Sequence, residues 1–490
     1  MAIPILSRIM NVSPVQRQSM ISFFWQIAFT AIGFLSTMYF AHAVGAAILG
    51  AYFLFTAYQS LISMVLDGGF RGAALKRISE GEEPDAFFSA YFAIRLALTV
   101  FVILFLIIFK EYFVDLNRSG LFLLLLIAIF LSLFDGLVST GVAGTGKMGI
   151  RTTCAGIGNI ARILFQVVAI FLGYEAGGLV VGAIAGTLVA AIIEFRFLEL
   201  HFVKFNWEHV KSLSVFSFWL FLTSGGIIVY SQADTILIGH FLDTADVGVY
   251  RIALQFTTIS TLITYALRMT LWPQVSRWGK KGQLGHVEES LARALSYSLL
   301  LAVPAFVGGA LLGDKLLYFF YGTEFASGYS VLVVLLAVQI VNVFQYFFTM
   351  YLDALNYPKE SFKVTIIAAM ANIVLDILFI PIYGIIGAAV ATLVSMILNV
   401  FLAKFALSRV MKIRVEKNSL MNILKASAAM SIIVGTYRFL VPLSNVSLSL
   451  FAVFLGGAVF CILMFKIDRK MYDDMKSMIL QMNLPWPNWL

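Results

Sequence analysis

Cysteine is nearly absent: the chain holds two in 490 residues, Cys154 and Cys461, far apart and each inside an apolar run. A disulfide framework and a cysteine-built metal site are thereby excluded. Charge is scarce as well. Asp, Glu, Lys and Arg supply only 12% of the residues and apolar types 61%, where a soluble domain carries about a quarter charged. No polar stretch is long enough for a folded unit of about 100 residues, so an appended ATPase, a soluble catalytic domain and a nucleic-acid-binding module are ruled out. The five histidines, His42, His201, His209, His240 and His286, sit in or beside loops without metal-ligand spacing. No catalytic residue, metal or cofactor is assigned, and nucleic acid is not an expected partner.

What is present is apolar sequence in membrane-length pieces. Crossing a bilayer as a helix takes about 20 mostly apolar residues. Apolar runs with polar flanks place spans near 19–40, 45–66, 86–109, 120–141, 152–173, 177–198, 213–238, 247–270, 291–313, 329–352, 363–383, 385–405, 423–441 and 446–466. The expected fold class is an all-α polytopic membrane protein of about fourteen transmembrane helices. Arg8 and Arg17 precede a first run of full membrane thickness that lacks a small-residue cleavage site, so it reads as a span and not as a removable signal. With the N-terminus inside, the cytoplasmic segments carry 27 of the 34 Lys and Arg and the outer loops 4, with Arg95, Arg162 and Arg251 inside spans. A miscounted helix would swap every later loop and spoil that asymmetry. An N-in, C-in topology follows from the positive-inside rule, and the net charge of +8 belongs to the cytoplasmic rim.

The chain repeats itself. His42, Gly50 and Tyr52 spell H-x7-G-x-Y, and His240, Gly248 and Tyr250 spell it again 198 residues later. The pattern G-A-x-x-x-T-L-V runs from Gly182 to Val189 and recurs from Gly387 to Val394, and Asn159-Ile160 pairs with Asn372-Ile373. A duplicated six-helix unit is expected, and because six is even the copies are parallel repeats about an axis along the membrane normal. The expected division is an N-terminal lobe over 1–204, a C-terminal lobe over 205–417, and two extra helices with a cytoplasmic tail over 418–490.

These repeats also carry a resemblance. Ser217-Phe218-Trp219, the run Gln232-Ala233-Asp234-Thr235-Ile236-Leu237-Ile238-Gly239, then Ala245-Asp246-Val247-Gly248-Val249-Tyr250 and Leu271-Trp272-Pro273 resemble the middle of polysaccharide-unit (O-antigen type) flippases. Ala41-His42-Ala43-Val44-Gly45, Leu49-Gly50-Ala51-Tyr52 and Leu66-Asp67-Gly68-Gly69 resemble their opening. Those proteins belong to the multidrug, oligosaccharidyl-lipid and polysaccharide (MOP) exporter superfamily. The resemblance implies two six-helix bundles around a central cavity, alternating access, and a polyprenyl-diphosphate-linked oligosaccharide as cargo. Arg251, directly after the Gly-x-Tyr, departs from the family pattern, and its role rests on physical argument alone.

A charge at mid-bilayer costs about 2.5 to 3.5 kcal/mol even on insertion scales, so it faces a cavity or a partner. Depth along the spans places Arg95 near Asp135, and Asp234 near Arg251. Either pair is open to a purely structural reading as a self-neutralising ion pair. Arg162 has Asn159 at i−3 and Gln166 at i+4, a polar stripe on one helical face. Its repeat counterpart falls beside Asp376. On the implied cargo, Arg162 and Arg95 bind the diphosphate, with Asn159, Gln166 and Arg251 as further cavity residues. Asp376, Asp234 and Asp135 are candidates for coupling or gating through a proton or a cation.

Gly141 to Met148 nearly spells a phosphate loop, but Met148 cannot ligate magnesium and no strand precedes it. The basic run Lys404, Arg409, Lys412, Arg414 and Lys417 is a topology anchor on anionic lipid or a docking surface for a polysaccharide assembly enzyme. A lipid-linked sugar has a head too polar to cross hydrocarbon and a tail too apolar to leave it, so a carrier in the cytoplasmic membrane of a prokaryote need shield only the head. Two alternatives share the superfamily, a multidrug cation antiporter and a peptidoglycan-precursor flippase. A third, an integral-membrane glycosyltransferase, needs acidic catalytic loops, and the loops here are too short.

Overall fold

The computed structural model describes residues 14–469 and 471–473, and every regular element among them is helical. Two compact units divide the chain. The first, Met1–Gly248, holds α1 (Pro14–Asp67), α2 (Phe70–Glu80), α3 (Pro84–Ile108), the short α4 (Val114–Arg118), α5 (Phe122–Gly144), α6 (Met148–Phe171), α7 (Ala176–Phe195) and α8 (Trp207–Phe241). Helix α9 (Thr244–Thr257) runs across the boundary. The second unit, Val249–Leu490, holds α10 (Leu262–Lys280), α11 (Leu284–Tyr321), the short α12 (Thr323–Ala326), α13 (Tyr329–Ala354), α14 (Pro358–Ser408), α15 (Lys417–Leu440) and α16 (Val446–Ile467). Among the described residues, 10 helices are long and apolar enough to span a membrane.

Two of these are each a pair of helices joined at one glycine. Gly45 in α1 has φ 76° and ψ 179°, and Gly384 in α14 has φ 60° and ψ −145°, three residues after Pro381. A left-handed φ carries no Cβ penalty at glycine, so the chain turns sharply there without a loop. The breaks fall between the expected spans 19–40 and 45–66, and 363–383 and 385–405. The expected eighth span, 247–270, is instead α9 and α10 with a 3-10 turn, Thr258–Thr261, between them. The cause is local. Thr257, Thr258, Ser260 and Thr261 each donate a hydroxyl to the carbonyl three residues back, at 2.7, 2.7, 2.6 and 2.8 Å, a competition with helical bonding that tightens the turn.

Packing inside the first unit relies on small residues, as it must where lipid is as apolar as the side chains. Gly178, Gly182 and Gly186 line the face of α7 that meets α6: a Cβ at Gly182 would stand 2.8 Å from the Gln166 nitrogen, and one at Gly186 would stand 2.6 Å from the Gly158 carbonyl oxygen. The recurring G-A-x-x-x-T-L-V stretch therefore begins on a contact strip. Helix α8 lies along α1 and α2, which puts the seventh expected span in the first compact unit. Between α7 and α8 the chain is strapped to the start of α3, with the His201 amide donating to Asp85 Oδ1 and the Val203 amide to Ser89 Oγ, both at 2.9 Å.

The second unit is built on a core that includes Leu291, Leu295, Phe347, Tyr351, Leu407 and Ile423. Helices α15 and α16 pack against α11. Arg438 of α15 fastens them by donating to both carboxylate oxygens of Asp314 at 3.0 Å and to the Leu311 carbonyl.

Candidate functional site

A largely apolar cavity of about 500 Å³ lies in the first unit, with Ser60, Ser63, Asp67 and Arg71 together with Ser231 and Gln232 of α8 as the polar part of its lining. Its floor is made by a turn. Asp67 ends α1, and Gly68 and Gly69, with φ of 47° and 77°, reverse the chain so that Arg71 falls in the first turn of α2. Gly69 also allows contact with α8, since a Cβ there would stand 2.1 Å from the Ser217 carbonyl oxygen.

Behind the cavity wall is a compact group of charges. Arg95, 3% exposed, pairs with Asp67 and donates to the Tyr91 hydroxyl and the Ser132 carbonyl, each at 3.2 Å. The Arg95–Asp135 pairing expected from depth is therefore corrected: Asp67 at the close of α1 reaches the guanidinium first. Asp135 stands in the electrostatic field of Arg71, Arg95 and Arg151, and Glu194 in that of Asp135, Arg151 and Arg71. Arg71 donates to Ser139 Oγ at 2.9 Å and makes no ion pair among the described residues.

Arg162 is held differently. Its Nε donates to Asn159 Oδ1 at 2.9 Å and its Nη1 to the Tyr52 hydroxyl at 3.2 Å, so both partners are neutral and no carboxylate pairs with it among the described residues. The i−3 partner is the one read from spacing; Tyr52, of the first H-x7-G-x-Y stretch, is not. Gln166 is buried and turns away from the stripe to donate to the Leu179 carbonyl at 2.8 Å, into the space that Gly182 leaves. It belongs to the α6–α7 contact.

The remaining expected residues are dispersed. Asp234 is buried on α8 in the first unit, and Arg251 is half-buried on α9 in the second. Asn372 and Asp376, one turn apart on α14, are both fully buried. In the second unit, the Arg268 guanidinium lies 4.6 Å from the Tyr346 ring centre and 5.6 Å from that of Trp272. Sequence reasoning missed Asp67, Arg71, Arg151 and Glu194 as one group, although Leu66-Asp67-Gly68-Gly69 already marked the turn. Among the described residues no cluster of histidine, cysteine or carboxylate groups is arranged to hold a metal.

Membrane-length helices define the class, a multi-pass membrane protein. The chain belongs to the family described as Polysaccharide biosynthesis protein, which matches residues 44–330. It is similar to Probable low-salt glycan biosynthesis flippase Agl15 of Haloferax volcanii, with 28% identity over 444 residues, covering 91% of this chain and 94% of that one. Probable flippase AglR of the same organism is 27% identical over 433 residues, covering 86% and 89%. In fold the chain matches the inward closed conformation of the lipid II flippase MurJ at a TM-score of 0.78 and 19% identity, over 93% of this chain and 99% of that one. An inward-facing multidrug resistance MATE family transporter matches at 0.65 and 14% identity, over 77% and 94%.

Proposed function

We propose that the protein moves polyprenyl-diphosphate-linked oligosaccharide units across the cytoplasmic membrane of a prokaryote by alternating access, through fourteen spans arranged N-in and C-in. The observation that carries this is a pair of guanidinium groups in no direct salt bridge among the described residues, Arg71 on the cavity, which faces Asp135 and Glu194 only at longer range, and Arg162 against Asn159 and Tyr52. A cation in lipid is costly unless something negative answers it, and a diphosphate suits the donor fork of arginine. The serine and glutamine side chains on the cavity supply hydrogen bonds to sugar hydroxyls. Agl15 and AglR, named as flippases, support the reading by similarity along most of the chain. Buried Asp376 and Asp234 are the coupling candidates in this scheme, and enzymes of polysaccharide assembly are the expected neighbours at the cytoplasmic rim.

A peptidoglycan-precursor flippase reading draws on the fold of MurJ; it shares the lipid-linked diphosphate and differs in the sugar. The test is export in cells lacking the endogenous protein. Arg71→Ala and Arg162→Ala should abolish surface glycan while the protein inserts at normal level. Undiminished surface glycan in both variants overturns the proposal, and rescue of a strain deprived of its peptidoglycan-precursor flippase would favour the second reading.

A further inference from the structure

Glu194, in the last turn of α7, is a buried ionisable group that this transport scheme has not used. It is 3% exposed, and its Oε1 has no hydrogen-bond partner among the described residues. The charged and titratable groups that face it come from three elements: Asp135 of α5, Arg151 and Cys154 of α6, and Arg71 of α2. Helix α1, which also packs on α7, contributes Asp67 to the same group through Asp135. Asp67 and Arg71 also line the cavity, and Arg71 is the cation of the two. One guanidinium thus serves two clients, the buried carboxylates on one side and whatever occupies the cavity on the other.

We propose that Glu194 is a proton-binding site coupled to cargo through Arg71. This rests on the reading of the cavity as a diphosphate site. An anion that draws the positive charge of Arg71 to itself leaves Asp67, Asp135 and Glu194 with Arg95 and Arg151 as their compensation, and Arg95 is already paired with Asp67. In a low-dielectric interior, three carboxylates sharing two cations cannot all stay ionised, and one takes up a proton. Glu194 takes it, because among the described residues its Oε1 is already bare of donors. No bond other than the O–H of the new carboxylic acid is made, and the proton comes from water. By linkage the effect is reciprocal: cargo binding promotes protonation, and protonation promotes cargo binding. With one proton linked, affinity rises up to tenfold for each unit the pH falls.

The experiment is calorimetric titration of the purified full-length protein in detergent with farnesyl diphosphate, in two buffers of different ionisation enthalpy, which counts protons taken up per ligand bound. Wild type should take up a substantial fraction of one proton near neutral pH and bind more tightly as the pH falls. Glu194→Gln should still bind, with uptake reduced to near zero and the pH dependence flattened. The wild-type measurement stands alone if that variant misfolds. Binding without proton uptake in wild type, or uptake that persists in Glu194→Gln, overturns the proton site and leaves the diphosphate site intact. Absence of farnesyl diphosphate binding overturns both.

Discussion

Arg95 and Arg162 lie in the same unit and were both candidates for the diphosphate in sequence, yet their surroundings assign them opposite work. Arg95 is buried against Asp67, Tyr91 and Ser132, with its charge neutralised. Arg162 is half-buried and, among the described residues, hydrogen-bonds to the neutral oxygens of Asn159 and Tyr52. The lesson is that depth in the membrane does not make an arginine a ligand site; what decides is whether the fold has already supplied its anion. Each is also seated by a glycine. A Cβ at Gly136 would stand 2.6 Å from the Arg95 guanidinium carbon, and one at Gly186 would stand 2.5 Å from the Arg162 Cβ.

The comparison can be broken most forcefully at Asp67. Asp67→Ala strands the Arg95 charge and should cost about 3 to 5 kcal/mol, read as loss of thermal stability in detergent, whereas Asp67→Asn with Arg95→Met removes both charges and should recover most of it. Gly186→Ala comes next. It drives a methyl into the Arg162 stem and the Gly158 carbonyl, and overpacking of this kind costs about 1 to 3 kcal/mol; unchanged stability would mean that α6 and α7 are not in close contact. Arg162→Ala gives up two hydrogen bonds to neutral partners worth about 1 kcal/mol each at most. Its loss of thermal stability should stay well below that of Asp67→Ala even as glycan export disappears. Were Arg162→Ala as damaging to the fold as Asp67→Ala, the distinction between the two arginines would collapse.

Much of the architecture was legible because hydrophobic length and glycine act locally. The turns near Gly45 and Gly384, the apolar helices and the Arg162–Asn159 contact, one helical turn apart, follow from periodicity and backbone freedom. The charge group was not. Spacing gives depth along a helix but not which way a side chain faces across the bundle, so Arg95 could be placed level with Asp135 and still bond to Asp67. Gln166 shows the converse. It has the right spacing from Arg162, yet the gap left by Gly182 on another helix draws it away. Tyr52 reaches Arg162 from 110 positions earlier, a pairing that only tertiary packing fixes.

Within the first unit, Gly50 and Gly248 occupy the same place in the two H-x7-G-x-Y stretches, and they meet. A Cβ on Gly50 would stand 1.6 Å from the Thr244 carbonyl oxygen and 2.7 Å from the Gly248 nitrogen, and one on Gly248 would stand 2.2 Å from the Ala46 carbonyl oxygen. A motif pressed against its own second spelling is the covalent equivalent of a self-complementary dimer seam, where each side is the other's template. Mutational scans of the two stretches should accordingly return one profile twice, and a bulky residue in either would wedge open the same joint.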